Sequence, residues 1–355
     1  MHVDDLLIHM EARDASDLYL KTGVPPMLRV TGDLVPLGEQ PLTEEAIAAL
    51  ADQMMTPRHR QEFQQRQRAD IGYSSPVLGR FRANVYVQRG APAIVIRRVR
   101  SRIPSFEDLR LPPVVAQLAL APRGLALVVG QTGAGKSTTL AAMISYRSRE
   151  RAGHVVTIED PIEFVYPDAT SIISQREVGT DCETYSLGLR DALRQAPDVI
   201  LIGEIRDEES ATAAVHFAET GHLVLSTLHA NNASQTLERL LHFFPTTNRE
   251  GVALQLSLNL IGIIGQRLAP LKSGTGRVVA VEVLLSTPRV RELLRKADLP
   301  AIRSVMQSPA GIQEGMQTFD YAVYQLVQQG LIETEVGLSA VDSPNDLKMR
   351  LKGLL

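Results

Sequence analysis

An apolar run, Leu125 to Val129, leads directly into Gly130-Gln131-Thr132-Gly133-Ala134-Gly135-Lys136-Ser137, and the chain continues through Thr138, Thr139, Leu140, Ala141, Ala142, Met143 and Ile144. A buried strand, a glycine-rich turn of the form G-x-x-x-x-G-K-S and a helix-forming run, in that order, are the context in which a backbone loop wraps phosphate groups. Gly130, Gly133 and Gly135 let the chain turn back so that its N–H groups converge, and the start of the helix adds its positive end. Lys136 can then bridge the outer phosphates, and the Ser137 hydroxyl is a hard ligand for Mg²⁺. The nucleotide-binding set read from this loop is Gly130, Thr132, Gly133, Ala134, Gly135, Lys136, Ser137 and Thr138, with Ser137 also a metal ligand.

The pattern around the loop predicts two domains, which a chain of 355 residues with 44% hydrophobic content can fill. Residues 1–99 read as a small α+β domain. Val3, Leu6, Leu7 and Met10 share a helical face, Ser16 to Leu20 and Met27 to Val30 are short strands, and Thr43 caps a second helix through Met54. Arg58 to Arg68 reads as a solvated helix. Phe81, Ala83, Val85 and Val87 alternate with Arg80, Arg82, Asn84, Tyr86 and Gln88, and a further strand runs from Ala93 to Val99. Residues 100–113, with Pro104, Pro112 and Pro113, read as a linker. From Val114 onward, helices alternate with the apolar runs Leu125 to Val129, Val155 to Ile158, Val199 to Ile202 and Leu223 to Ser226. That is the pattern of a doubly wound parallel sheet. After Gln235 the expectation is helices with one strand at Val278 to Leu284, a helix at Thr318 to Gln329, and a weakly patterned, partly disordered tail from Leu331 to Leu355.

A net charge of −3 with 22% charged residues gives no general reason to expect a nucleic-acid partner. Cys182 stands alone, so neither an internal disulfide nor a cysteine-built zinc site is available, which fits a cytosolic setting. The acidic start Met1-His2-Val3-Asp4-Asp5 carries no secretory pattern, and Leu254 to Leu268 is interrupted by Gln255, Ser257, Asn259 and Gln266, short of a membrane span.

Three later stretches place polar groups at strand ends: Thr157-Ile158-Glu159-Asp160-Pro161-Ile162-Glu163-Phe164, Ile200-Leu201-Ile202-Gly203-Glu204, and Gly221-His222 through Leu228-His229. Hydrolysis of a nucleoside triphosphate needs oxygen ligands for Mg²⁺ and a carboxylate to orient or deprotonate water. Glu204 suits the metal and Glu163 the base; a lone carboxylate after a strand would read as a helix cap or surface ion pair, and the phosphate loop beside them reverses that reading. His222 and His229 read as nucleotide sensors or as packed, capping histidines.

These residues together resemble the type IV pilus retraction ATPases of the secretion ATPase superfamily. Gly130 to Ser137 matches the family's Walker A motif, Thr157 to Phe164 its Asp box, Ile200 to Glu204 its atypical Walker B and Gly221 to His229 its His box. Ser16-Asp17-Leu18 with Pro25-Pro26-Met27 resembles its PAS-like N-terminal domain, and Gly315-Met316-Gln317-Thr318-Phe319-Asp320 its C-terminal portion. Leu193-Arg194-Gln195-Ala196-Pro197-Asp198 and Leu228-His229-Ala230-Asn231-Asn232 look closer to the accessory than to the principal retraction ATPase. Arg289-Val290-Arg291-Glu292-Leu293-Leu294-Arg295-Lys296 departs from the principal motor's C-terminal motif.

The resemblance implies an α/β fold in which a PAS-like domain precedes a RecA-like P-loop ATPase domain. It further implies a homohexameric ring with the nucleotide held between the two domains. ATP and Mg²⁺ are then the ligands, Glu163 is the general base, Glu204 serves the metal, and His229 approaches the γ-phosphate. Arg80, Arg82 and Arg97 are the arginines expected to reach the phosphates, unless they form a solvated strand face. A partner retraction ATPase and an inner-membrane pilus platform are the implied partners, at the cytoplasmic face of the inner membrane without direct insertion. Alternatives are a pilus assembly or type II secretion ATPase, a DNA-transport ring ATPase, and a nucleotide-binding structural subunit.

Overall fold

The computed structural model describes residues 2–75, 77–99 and 102–353. Met1, Arg100, Ser101, Leu354 and Leu355, which figure in the sequence reading, lie outside the described residues. The chain divides into two compact units, Met1–Arg102 with Ile162–Val165, and Ile103–Pro161 with Tyr166–Leu355.

In the first unit, α1 (Val3–Ala12), β1 (Asp17–Lys21), β2 (Met27–Val30), β3 (Asp33–Pro36), α2 (Glu44–Met54), α3 (Pro57–Arg66), β4 (Arg68–Ser75), β5 (Gly79–Gln88) and β6 (Ala91–Arg98) follow in order. The strands form one antiparallel sheet ordered β3-β2-β1-β6-β5-β4. Thr43 caps α2 by accepting from the Ala46 amide, as its position before the apolar stripe dictates. Phe81, Ala83, Val85, Ile94 and Ile96 turn one sheet face onto Leu7, Met10, Ile47 and Leu50 of α1 and α2. β4 is not expected from the sequence, because its alternation follows a charged helix closed by Gln67, in left-handed conformation, rather than by glycine.

The second unit runs α4 (Val114–Ala119), β7 (Gly124–Val129), α5 (Lys136–Glu150), β8 (Gly153–Glu159), β9 (Ser171–Glu177), α6 (Tyr185–Ala192), β10 (Val199–Ile202), α7 (Glu208–Glu219), β11 (Leu223–Leu228), α8 (Ala233–His242), α9 (Arg249–Asn259), β12 (Leu260–Pro270) and β13 (Arg277–Leu285). It closes with α10 (Pro288–Arg295), α11 (Pro300–Gln307), α12 (Pro309–Gln313), α13 (Phe319–Gln328), α14 (Thr334–Ala340) and α15 (Pro344–Leu351). Its sheet is ordered β13-β12-β7-β11-β10-β8-β9 and is parallel except for the β12–β13 pair. All residues of β7, β10 and β11 are buried, as strands covered by helices on both faces must be.

Two expectations fail here. The apolar stretch from Leu254 is not all helix: α9 ends at Asn259 and the chain continues as β12, pairing with β7. Gly262 and Gly265 fit that strand because a Cβ at either would crowd Leu118 or Phe319. The tail is helical as far as it is described. Ile332 and Leu347 bury against Phe319 and Val323, and Arg303 and Arg267 bind Asp342 at 3.0 and 2.7 Å. Among the described residues no helix is long and apolar enough to cross a membrane.

Candidate active site

The phosphate loop leaves the C-terminal end of β7 and is shaped by its neighbours. A Cβ on Gly130 would lie 2.6 Å from the Gln266 carbonyl oxygen and 3.0 Å from Ala134 Cβ, so β12 passes too close for any side chain there. Gly135 takes the left-handed conformation and starts α5 without a side-chain cap, which leaves the helix's first amides to an anion. Lys136 is buried, and its ammonium donates to the carbonyls of Gly130 at 2.9 Å and Gln131 at 3.2 Å, across the loop's mouth. Thr132 and Gly133 are exposed, Ala134 is buried, and Ser137 and Thr138 are half-buried on the first turn of α5. From the far side, Gln266 Nε2 donates to Thr139 Oγ1 at 2.7 Å and ties β12 to α5.

Glu204 follows β10 at the same end of the parallel sheet, and its backbone is held on every side. Gly203 donates to the Ile158 carbonyl of β8 and accepts from Thr227 Oγ1 of β11, while the Ile205 amide donates to the Thr227 carbonyl. The Tyr185 hydroxyl accepts from the Glu204 amide at 3.1 Å and donates to its carbonyl at 3.3 Å. Burial pushes the Tyr185 phenol well above its ordinary range, so it stays protonated and can make both bonds. The Glu204 carboxylate is thereby aimed at His229, which follows β11, with Oε1 3.1 Å from Nε2. Arg239 of α8 donates to the His229 carbonyl at 2.8 Å. A cleft of about 620 Å³ joins Gly130, Gln131 and Thr132 to His229, Asn231 and Arg239.

The structure therefore brings the phosphate loop, Glu204 and His229 together at the C-terminal ends of adjacent strands, where open α/β sheets bind ligands. His222 is a correction. It precedes β11 at the opposite end of the sheet: its carbonyl accepts from the Gly124 amide, and its Nδ1 lies 3.0 Å from the Phe217 carbonyl and 3.1 Å from Thr220 Oγ1. Six strand residues at about 3.3 Å each put it roughly 20 Å from Gly130. It closes α7 instead of sensing a nucleotide in this cluster.

The Asp-box residues divide. Glu159 is buried at the end of β8, accepting from Thr157 Oγ1 at 2.7 Å, and Asp160 pairs with Arg206 at 3.4 Å. Glu163 is exposed and belongs with Ile162–Val165 to the first unit. There, Arg82 lies opposite Arg97 in the β5–β6 register and Arg80 is two residues away on β5, so the three arginines share one sheet face. Arg97 also holds the buried carboxylate of Asp17 at 2.7 Å. Tyr185, Arg239, Gln266 and Glu282 support the site but are not expected from the sequence; Gln266 and Glu282, polar groups inside apolar strands, are the two that leave a signal.

The donor set suits Mg²⁺ and a nucleotide: a glycine cradle with open helix amides and a lysine for phosphates, and hydroxyl and carboxylate oxygens from Ser137 and Glu204 for a hard cation. The family model of type II/IV secretion system proteins matches residues 91–319. The chain is 44% identical over 352 residues to the type IV pilus ATPase PilU of Pseudomonas aeruginosa, spanning 99% of this chain and 92% of that one. It is 40% identical over 335 residues to the type IV pilus retraction ATPase PilT of the same organism, spanning 94% and 96%. The crystal structure of the pilus retraction motor PilT with bound ADP superimposes with a TM-score of 0.91 at 40% identity, covering 98% of this chain and 99% of that one.

Proposed function

Because the chain belongs to the family of type II/IV secretion system proteins, we propose that it is an Mg²⁺-dependent ATPase that powers type IV pilus retraction and twitching motility, as an accessory motor of the PilU kind. The observation that carries this reading is the Glu204–His229 pair, 3.1 Å apart, with His229 lining the same cleft as Gly130, Gln131 and Thr132 of the phosphate loop. A loop alone would serve kinases and transporters equally; a strand-end carboxylate with an imidazole beside it suits hydrolysis.

In this assignment Lys136 and the amides from Gly133 to Thr138 hold the phosphates. Ser137 and Glu204 hold Mg²⁺, which when bound neutralises charge developing on the phosphate oxygens. Glu204 fixes the His229 ring so that its other edge is available to the γ-phosphate. Glu163 takes the proton of the attacking water, a role assigned on the Asp-box pattern it shares with the family. Arg80, Arg82 and Arg97 are assigned to the phosphates on the same ground, and their common sheet face supports treating them as a set.

The working state is a homohexamer at the cytoplasmic face of the inner membrane, acting with a PilT-like partner on the pilus platform. Deletion of the gene tests the direction of force. Retained pili with reduced twitching are expected, whereas loss of pili would assign the chain to assembly.

A further inference from the structure

Glu282 stands in the middle of β13, otherwise apolar from Val278 to Leu284, with its side chain almost wholly buried. Its register partner on β12 is Gly265. A Cβ on Gly265 would lie 3.0 Å from Phe319 Cζ and 3.2 Å from Glu282 Cβ, so the glycine is what lets the carboxylate cross the neighbouring strand. Beyond it, Glu282 Oε2 accepts the N–H of Ala233 at 2.7 Å. Ala233 is the first residue of α8, four residues after His229.

The turn is tied at two other points. Arg239 donates to the His229 carbonyl at 2.8 Å, and Arg267 of β12 reaches the Asn231 carbonyl at 3.4 Å. Capping alone does not account for Glu282, because Asn232 already caps α8 by accepting from the Gln235 amide at 2.9 Å. A carboxylate buried at some energetic cost is therefore spent on one amide beside the catalytic turn.

We infer that Glu282 is a positioning residue that holds the turn His229–Asn232 in register with the phosphate loop, through the first amide of α8. The inference deepens the ATPase reading and rests on it. It differs from a general packing role in what it predicts: loss of the tether displaces His229 and slows turnover, while the phosphate loop, which sets affinity, is untouched.

Two variants separate these outcomes. Glu282→Asp withdraws the acceptor by one methylene, and Glu282→Gln keeps both length and an acceptor oxygen. Turnover of Mg-ATP by Glu282→Asp is expected to fall about tenfold, with KM and the affinity for a methylanthraniloyl-ATP probe within about twofold of wild type. Glu282→Gln is expected to keep kcat within about threefold of wild type. Hydrogen exchange supplies a readout independent of hydrolysis, with amides 233–235 losing protection in Glu282→Asp and keeping it in Glu282→Gln, and α5 unchanged in both. Unchanged kcat and unchanged protection in Glu282→Asp would overturn the inference, as would a rise in KM equal to the fall in kcat. Absence of turnover in the wild type would defeat the ATPase reading instead, leaving the exchange comparison to decide the tether.

Discussion

The same buried carboxylate makes a stability prediction with a definite sign. Glu282 is 5% exposed, and burial pushes it from its ordinary value of 4.5 to about 7. The Ala233 amide, Arg267 and Arg303 favour its charged form and Asp342 opposes it, and desolvation outweighs the favourable contacts. Between pH 4.5 and about 7 the folded chain holds a proton that the unfolded chain has released, so stability falls as pH rises through this window. Below the window the group contributes no penalty; above it the penalty is complete. At about 1.4 kcal/mol per pH unit, the gap corresponds to roughly 3 kcal/mol. Glu282→Gln removes this titration and no other. Urea denaturation of wild type and variant at pH 5, 6, 7 and 8 should show the variant gaining stability relative to wild type by about 2–3 kcal/mol across the series. A difference that stays constant with pH would refute the assignment, and a difference that shrinks with rising pH would reverse its sign.

Other consequences follow from the same geometry. His229→Ala should lower ATP turnover at least tenfold, whereas His222→Ala, roughly 20 Å away along β11, should leave it within about twofold; steady-state kinetics of both variants check this. Gly130→Ala sets a Cβ 2.6 Å from the Gln266 carbonyl and should cost about 2–4 kcal/mol, seen as a lower thermal midpoint together with weaker nucleotide binding. Asp320 accepts from Arg303 at 2.8 Å and from the Asp342 amide at 2.8 Å while 4% exposed. Asp320→Asn should therefore loosen α14 and α15 by about 1–3 kcal/mol, and limited proteolysis should then cut near residues 341–343.

The phosphate loop was legible because its chemistry is local: the glycines, Lys136 and Ser137 are adjacent in sequence, and the flanking apolar run and helix are continuous with them. The antiparallel sheet of the first unit was readable wherever alternation was strong, as from Phe81 to Val87. What escaped depends on contacts distant in sequence. β12 follows α9 with no intervening loop, and its pairing with β7 makes it a strand. β9 lies at the sheet edge, where Ile172 is 64% exposed and Ser174 to Glu177 are polar in succession, so no alternation marks it as a strand. His222 shares a short motif with His229, but a six-residue strand between them carries the two to opposite ends of the sheet. The tail is weakly patterned because its helices are short: a few apolar residues such as Ile332 and Leu347 bury against α13, and the charged groups Arg303, Asp320 and Asp342 that also hold it carry no hydrophobic period.

The central claim is that the cradle of Lys136 and Ser137, with Glu204, His229 and Glu163, hydrolyses ATP. It is tested most directly by phosphate release from purified protein with and without Mg²⁺, for wild type and Glu163→Gln. The account predicts Mg²⁺-dependent turnover by wild type, and a variant that binds the nucleotide with similar affinity but turns over at least about a hundredfold more slowly. Wild type without Mg²⁺-dependent turnover, or Glu163→Gln with turnover intact, would contradict it.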